Sequence, residues 1–142
     1  MQNVPNYFAT KGINSYSDSA HNIKERFHRD AKKVLKSIVQ ELGLQDGSYE
    51  IRSNKAGIAV SGEVTLHAEH LYVQMYESAF GGGGIEIMYR SCKSRKDYSG
   101  DQNFFIKNSL DLNDQARRTQ FIASCRKLMS KYEAELAANS NI

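Results

Sequence analysis

Residues 57–67 read GIAVSGEVTLH, and residues 71–76 read LYVQMY. In both segments apolar side chains recur at every second position, which is the period of a β-strand with one buried face. The apolar positions are Ile58, Val60, Val64 and Leu66 in the first segment and Leu71, Val73 and Met75 in the second. Because only a short turn at Ala68 and Glu69 separates the segments, they predict an antiparallel hairpin.

Further strands and two helices are predicted on either side of this hairpin. Residues 49–53, 85–90 and 103–107 have the length and composition of short strands. Helical periodicity ends at Gly43, which predicts that the first helix ends there with a residue in the left-handed conformation. The same periodicity returns in the last third of the chain. The two apolar stripes consist of Ile23, Phe27, Ala31, Val34, Leu35, Ile38 and Leu42, and of Phe121, Ile122, Cys125, Leu128, Met129, Tyr132 and Leu136. The predicted caps are Ser17, Asp18 or Ser19 for the first helix and Ser109, Asp111 or Asn113 for the second.

These elements predict one α+β domain, built as a helix, an antiparallel meander of four or five strands and a second helix. Both helices have a single apolar stripe, so we expect them to pack on one face of the sheet. A length of 142 residues fits one domain. Residues 1–19 are predicted to be an amino-terminal arm, residues 20–138 the domain and residues 139–142 a tail.

The composition limits the possible classes of protein. Nineteen Lys and Arg against sixteen Asp and Glu give a net charge of +3, which allows an anionic partner without requiring one. No apolar run approaches the roughly 18 residues of a membrane span, and the first residues do not resemble an export signal. Cys92 and Cys125 are too far apart for a CxxC pair. We therefore expect a cytoplasmic protein in a reducing compartment.

The best candidate site is the segment 89–103, YRSCKSRKDYSGDQN. It concentrates four cations within seven positions, and Tyr89 and Tyr98 flank them. Arginine and lysine bind phosphate or carboxylate groups, and a tyrosine ring can stack on a base. The alternative is a solvated loop neutralised by Asp97 and Asp101. The predicted ligand-binding residues are Arg90, Lys93, Arg95, Lys96, Tyr98 and, from the apolar sector of the last helix, Arg118, which alternatively extends to water.

Two further surfaces are weaker candidates for binding an anionic partner. The first helix carries a basic ridge opposite its apolar stripe, with Asp30 among the carboxylates expected to balance it on a solvated face. Tyr72 and Tyr76 should face outward from the sheet, where they can stack on bases or pack across strands. The basic ridge consists of Arg26, Arg29, Lys33 and Lys36.

The sequence predicts neither a cofactor nor a metal site. His67 and His70 are expected to be exposed hairpin histidines, and the glycine run 81–84 lacks the lysine and helix that a phosphate-binding loop needs. A cationic loop would lower the pKa of Cys92, which should then react with thiol reagents, whereas Cys125 should be buried. Catalytic residues are not predicted, although a metal-free ribonuclease using Arg, Lys, His and Tyr stays possible.

The segment YRSCKSRKDYSGDQN also resembles segments of small accessory proteins of bacterial phages and plasmids. The resemblance covers about a tenth of the chain and carries no assigned activity. It implies a context in which such proteins bind host nucleases, CRISPR complexes or nucleic acids. The basic, aromatic-flanked loop itself predicts a non-enzymatic protein that binds an anionic partner, a nucleic acid or nucleotide, whereas the resemblance favours the first of the alternatives below. The alternatives are an anti-defence protein that inhibits a host complex by protein–protein binding, and the small ribonuclease.

Overall fold

The computed structural model describes residues 18–54, 62–77, 85–98 and 100–140. The predicted amino-terminal arm up to residue 17, the first half of the strand predicted over 57–67 with Val60, and the glycine run 81–84 lie outside the described residues. The helices are α1 (Asp18–Leu42) and α2 (Gln115–Ser140). The strands are β1 (Tyr49–Asn54), β2 (Glu63–Ala68), β3 (Leu71–Glu77), β4 (Ile85–Ser91) and β5 (Phe104–Ile106).

The predicted α+β architecture is confirmed. The five strands form one antiparallel sheet in the order β1-β2-β3-β4-β5, and the predicted hairpin pairs Leu66 with Val73 and Val64 with Met75. The core is continuous from both helices to one sheet face, because Ile38 and Cys125 belong to the same buried cluster as Val64 and Val73. Helix α1 packs over β1 and β2, and α2 packs over β3 and β4. Strand β5 therefore lies at the margin of the covered face.

The helix ends follow local chemistry. Gly43 has a φ of +70°, and the amides of Gly43 and Leu44 donate to the carbonyls of Gln40 and Val39. These two hydrogen bonds form a Schellman motif, so the helix end predicted at Gly43 is confirmed. The caps predicted for α2 are wrong, because its first turn is capped by Asp114, whose Oδ2 accepts from the Arg117 amide at 3.1 Å. A short 3-10 helix, Ser109–Asn113, occupies the residues that were expected to form the cap.

The second face of the sheet carries mostly polar residues. The register aligns Glu50, His67, Tyr72 and Arg90 in one row across four strands. The adjacent row contains Arg52, Thr65, Gln74, Met88 and Phe105. Although this face is polar, His67, Tyr72 and Arg90 are buried. Buried polar groups require hydrogen-bonding partners. Those of His67 and Arg90 come from the chain that follows β4, whereas the Tyr72 hydroxyl accepts from Gln74 on its own strand.

Candidate functional site

The segment after β4 folds back across the polar face of the sheet; residues 92–98 and 100–103 are called the strap loop below. The ring nitrogen Nε2 of His67 lies 3.1 Å from the Ser94 carbonyl, and Nδ1 of His70 lies 3.3 Å from the Cys92 carbonyl. The Cys92 amide in turn donates to the His70 carbonyl at 3.3 Å. The prediction of exposed hairpin histidines is thus wrong: both histidines hold the strap loop on the sheet.

The carboxylate of Asp97 fixes the loop from within. It accepts from the Lys93 amide at 2.9 Å through Oδ2 and from the Gly100 amide at 3.0 Å through Oδ1. Gly100 has a φ of +57°, and a Cβ there would collide with the Arg90 side chain. Asp97 therefore shapes the loop backbone, in addition to offsetting the charge of neighbouring lysines.

Arg90 lies beneath the strap loop and is only 8% exposed. Its guanidinium sits 4.3 Å from the centre of the Tyr72 ring, a cation–π contact. It donates to the Tyr98 carbonyl and, at 3.2 Å, to Oδ1 of Asn103. Tyr72 is buried against its cross-strand neighbours Arg90 and His67. Of the two alternatives for this tyrosine, packing across strands is therefore confirmed and an open stacking surface is wrong. Arg90 is a positioning residue for the loop, and its donors are directed inward.

Tyr98 is the aromatic residue of the strap loop, and 56% of its surface is accessible. Its hydroxyl accepts a hydrogen bond from Arg52 Nη1 at 3.1 Å, and the Arg52 guanidinium lies 5.2 Å from the ring centre. This hydrogen bond raises the pKa of Arg52. The edge of the His67 ring contacts the same tyrosine, with the ring centres 5.2 Å apart. Tyr98 is thus held in one orientation while much of it remains open to a ligand.

The remaining loop cations differ in their surroundings. Lys93 and Lys96 are exposed, whereas Arg95 is half-buried and donates to the Gly47 carbonyl at 2.8 Å. A cleft of about 470 Å³ opens beside them. Its lining is Glu50, Glu69, Ser94, Arg95, Lys96 and Tyr98, so two carboxylates face two cations. The cleft itself is therefore mixed in charge. The exposed residues Lys93, Lys96 and Tyr98 are called the outer side of the strap loop below.

Arg118 does not join this group. Helix α2 reaches the strap loop further along its length, where the Ser91 hydroxyl donates to the Leu128 carbonyl and Tyr132 donates to Asp101. Arg118 lies ten residues before Leu128, which corresponds to about 15 Å of helix. Of the two outcomes foreseen for Arg118, contact with the basic loop is therefore disfavoured.

The secondary surfaces are only partly as expected. Arg26, Arg29, Lys33 and Lys36 are all exposed on α1. Asp30, expected among the carboxylates of that solvated face, is instead buried, and burial raises its pKa while the charge of Lys33 partly offsets the effect. Tyr76 is half-buried. Its pKa is raised mainly by burial and further by the negative charge of the nearby Glu86. The basic ridge of α1 is real, but the tyrosine pair does not form an open platform.

His67 is the most deeply buried ionisable group under the strap loop, at 1% exposure. Burial lowers its pKa most, and the positive charges of Arg52 and Arg90 lower it further. Because the Ser94 carbonyl can only accept a hydrogen bond, Nε2 of the neutral imidazole carries the proton and donates it, and Nδ1 is unprotonated. Neutral His67 is thus suited to holding the loop and not to proton transfer with a bound ligand.

The predicted reactivity of Cys92 is wrong. The thiol is fully buried, and its Sγ lies 3.6 Å from the carbonyls of Ala68 and Glu69. Burial, followed by the negative charge of Asp97, raises the pKa of Cys92 to about 12. The strap loop bends over the sheet immediately after this residue, so Cys92 belongs to the interior. Cys125 is buried as expected, and burial raises its pKa to about 12 as well.

Neither cysteine should react with a thiol reagent while the protein is folded. At pH 8 a thiol with a pKa of about 12 is almost entirely protonated, and protonated thiols are poor nucleophiles. We expect a maleimide to label the native protein rapidly at less than about 0.1 equivalent per chain, and to label both cysteines in denaturant. Rapid native labelling of Cys92, located by peptide mass analysis, would contradict the described burial.

One concave surface was missed by sequence reasoning. Strand β5 pairs with β4 alone among the described strands, and Phe104 and Phe105 are 38% and 50% exposed. A groove of about 670 Å³ lies between Phe104 and the Leu128 region of α2. The available signal was the Phe104-Phe105 pair itself, because alternation would bury only one of two adjacent residues in a strand.

The described segments contain neither a membrane span nor a metal cluster. Helices α1 and α2 lack the combination of length and apolar character that a membrane crossing would need. Among the same residues, no three His, Cys, Asp or Glu side chains lie close enough together to hold a metal ion. Comparison with protein-family models, with curated proteins and with solved structures found no match.

Proposed function

We propose that this chain is a binding protein that uses the outer side of the strap loop to bind single-stranded nucleic acid. The observation that carries the proposal is the arrangement of Tyr98, Lys93 and Lys96 on a loop whose backbone is already fixed. Tyr98 offers an exposed ring for a base, and Lys93 and Lys96, five and two positions before it in the same loop, are exposed as well. Because the loop is anchored by His67, His70 and Asp97, little conformational entropy should be lost on binding.

The charges of the cleft favour a strand over a free nucleotide. A nucleotide phosphate that entered the cleft would approach Glu50 and Glu69 as well as Arg95. Lys96 and Tyr98 line the same cleft, whereas Lys93 is exposed and is not part of that lining. A strand, unlike a single nucleotide, is long enough to contact both lysines. We place the protein in the cytoplasm as part of this proposal, because Cys92 and Cys125 are both free thiols.

The test is the affinity of a fluorescent 20-nucleotide single strand for variants of the whole chain, measured by anisotropy at several salt concentrations. Replacing Lys93 and Lys96 together by Ala should weaken binding by more than about tenfold. The slope of log affinity against log salt should fall by about 1.4, because two phosphate contacts are lost on a single strand. Thermal stability should change by less than about 0.5 kcal/mol, since both side chains are exposed.

The matched control replaces Lys33 and Lys36, on the basic ridge of α1, by Ala. This variant loses the same charge from another exposed surface, so its affinity should fall by less than about twofold at 0.15 M salt. A larger loss in the control than in the loop variant would move the site to α1. Replacing Tyr98 by Ala should cost about 1 to 3 kcal/mol if a base stacks there, whereas Phe should retain the stacking.

A second candidate function is inhibition of a host complex by protein–protein contact, as in an anti-defence protein. The observation that favours it is the exposed aromatic pair, Phe104 and Phe105, because aromatic residues dominate the binding energy of protein interfaces. The ribonuclease alternative is not proposed. Both histidines near the loop are engaged with backbone carbonyls, and His67 is buried, so neither is placed for acid–base work on a strand.

A further inference from the structure

Among the strands that the structure describes, β5 has one unpaired edge, and its phenylalanines are exposed. It pairs with β4 through Phe104, Phe105 and Ile106, and no described strand pairs with its other side. An unpaired strand edge presents backbone N–H and C=O groups that can accept another strand. Helix α2 packs mainly over β3 and β4, so a concave apolar surface lies between β5 and that helix.

Two adjoining concave sections, together called the groove below, lie between β5 and α2. Tyr89 and Ser124 line both of its sections, which have volumes of about 440 and 670 Å³. Aromatic rings form the floor: Tyr89 lies 5.8 Å from Phe104 and 5.0 Å from Phe121, measured between ring centres. Apolar side chains of an extended segment could therefore enter the groove while its backbone pairs with β5.

The rim of the groove is positively charged. Its two sections are lined by four cations and one carboxylate, which are Lys107, Arg117, Lys127, Lys131 and Asp111. Asp111 is paired with Arg117 at 2.7 Å, and Lys131 is paired with Asp101 at 2.7 Å. Within the described part of the chain, the side chains of Lys107 and Lys127 make neither a hydrogen bond nor an ion pair. Two cations thus remain to meet negative charge on an incoming segment.

Short edge strands flanked by lysine can also discourage unwanted strand pairing. That purpose explains the length of β5 and the position of Lys107. It does not explain two adjacent phenylalanines on the edge itself, one on each face of the sheet, with 38% and 50% exposure. The cations disfavour a second copy of the chain as the occupant, because pairing β5 with β5 would bring two basic rims together.

We propose that β5 binds an extended, acidic and apolar segment of a partner protein, which adds to the sheet as a sixth strand. Alternate apolar side chains of the segment enter the groove beside Phe104 and Tyr89. Because side chains alternate between the two sheet faces, the acidic residues of the paired part meet Lys107 at the end of β5. Acidic residues beyond the paired part, where the segment leaves the sheet, meet Lys127 at the rim. This site is distinct from the outer side of the strap loop, so the two sites can be tested separately.

The test uses a fluorescein-labelled nine-residue peptide of alternating Val and Glu. The first comparison peptide has Lys in place of Glu. Two further peptides keep the acidic sequence but carry N-methyl groups on alternate backbone amides, one on the odd-numbered and one on the even-numbered residues. The acidic peptide should bind saturably, the Lys peptide about tenfold or more weakly, and one of the methylated peptides weakly as well. Equal binding of the acidic and Lys peptides, or of all the methylated and unmethylated forms, would overturn the proposal.

Charge reversal in the protein completes the test. Replacing Lys107 and Lys127 together by Glu should weaken the acidic peptide by about five- to tenfold or more and strengthen the Lys peptide. The control, Lys32→Glu with Lys36→Glu on α1, should change neither affinity, because those residues lie on the solvent side of another helix. The single-stranded oligonucleotide should not displace the peptide. Displacement, or a concentration-dependent dimer that Phe105→Glu abolishes, would contradict the assignment of a separate protein partner.

Discussion

Replacing Ile38 by Ala should lower the free energy of unfolding by about 2 to 5 kcal/mol, through lost burial plus the cavity left behind. Ile38 is fully buried on α1 and lies in the core cluster with Val64 and Val73. The cluster also contains Cys125 of α2, so Ile38 contributes to the one core that joins both helices to the sheet. Urea unfolding followed by circular dichroism measures the change.

Gln40 provides the control for this prediction. It is exposed two residues further along α1, so Gln40→Ala should change stability by less than about 0.5 kcal/mol. A loss below about 1 kcal/mol for Ile38→Ala would mean that the core around α1 is looser than described.

Replacing Arg90 by Met should cost about 2 to 4 kcal/mol, because it removes two hydrogen bonds from a buried cation and its contact with the Tyr72 ring. Methionine keeps much of the apolar stem, so the cost arises mainly from the lost polar contacts. The strap loop should be affected most. Hydrogen exchange of the amides of Lys93 and Gly100 should accelerate more than exchange in β2, and oligonucleotide affinity should fall although Lys93 and Lys96 are intact.

Lys96→Met is the matched control, since it removes one cation from an exposed position of the same loop. It should leave stability within about 0.5 kcal/mol and should not accelerate loop exchange. An Arg90→Met protein with unchanged stability and unchanged exchange at Gly100 would show that Arg90 does not position the loop.

Local patterns were sufficient to predict the fold. The period of two in β2 and β3 correctly identified Val64, Leu66, Val73 and Met75 as the buried side, and Gly43 marked the end of α1. The stripe of α2 likewise placed Cys125 in the core. These features succeed because each depends on residues close in sequence, where helix and strand periods act directly.

The site could be predicted only in part, because its contacts join distant parts of the chain. His67 meets Ser94 across 27 residues, and Arg52 meets Tyr98 across 46. No local pattern indicates that the strap loop returns over the sheet. As a result, the sequence identified the exposed residues Lys93, Lys96 and Tyr98 but could not assign Arg90 its buried position.

The same long-range contacts explain the errors around the loop. Cys92 looked accessible because Ser91 and Lys93 beside it are polar, and His67 looked accessible because it alternates with the apolar side of β2. The structure buries both between the sheet and the returning chain. Strand β5 was expected, but its open edge and the groove beside it depend on where α2 stops covering the sheet. Position relative to a distant helix is not encoded in the periodicity of the strand itself.

The central claim is that the outer side of the strap loop meets single-stranded nucleic acid. The most direct measurement is a titration of uniformly ¹⁵N-labelled protein with an unlabelled single strand, followed by amide chemical shifts. We predict that the largest saturable shifts occur at Lys93, Lys96 and Tyr98, with smaller changes at Arg52 beneath them. Shifts confined to the basic ridge of α1 around Lys33, or no saturable shifts at 0.05 M salt, where phosphate contacts are strongest, would contradict the claim.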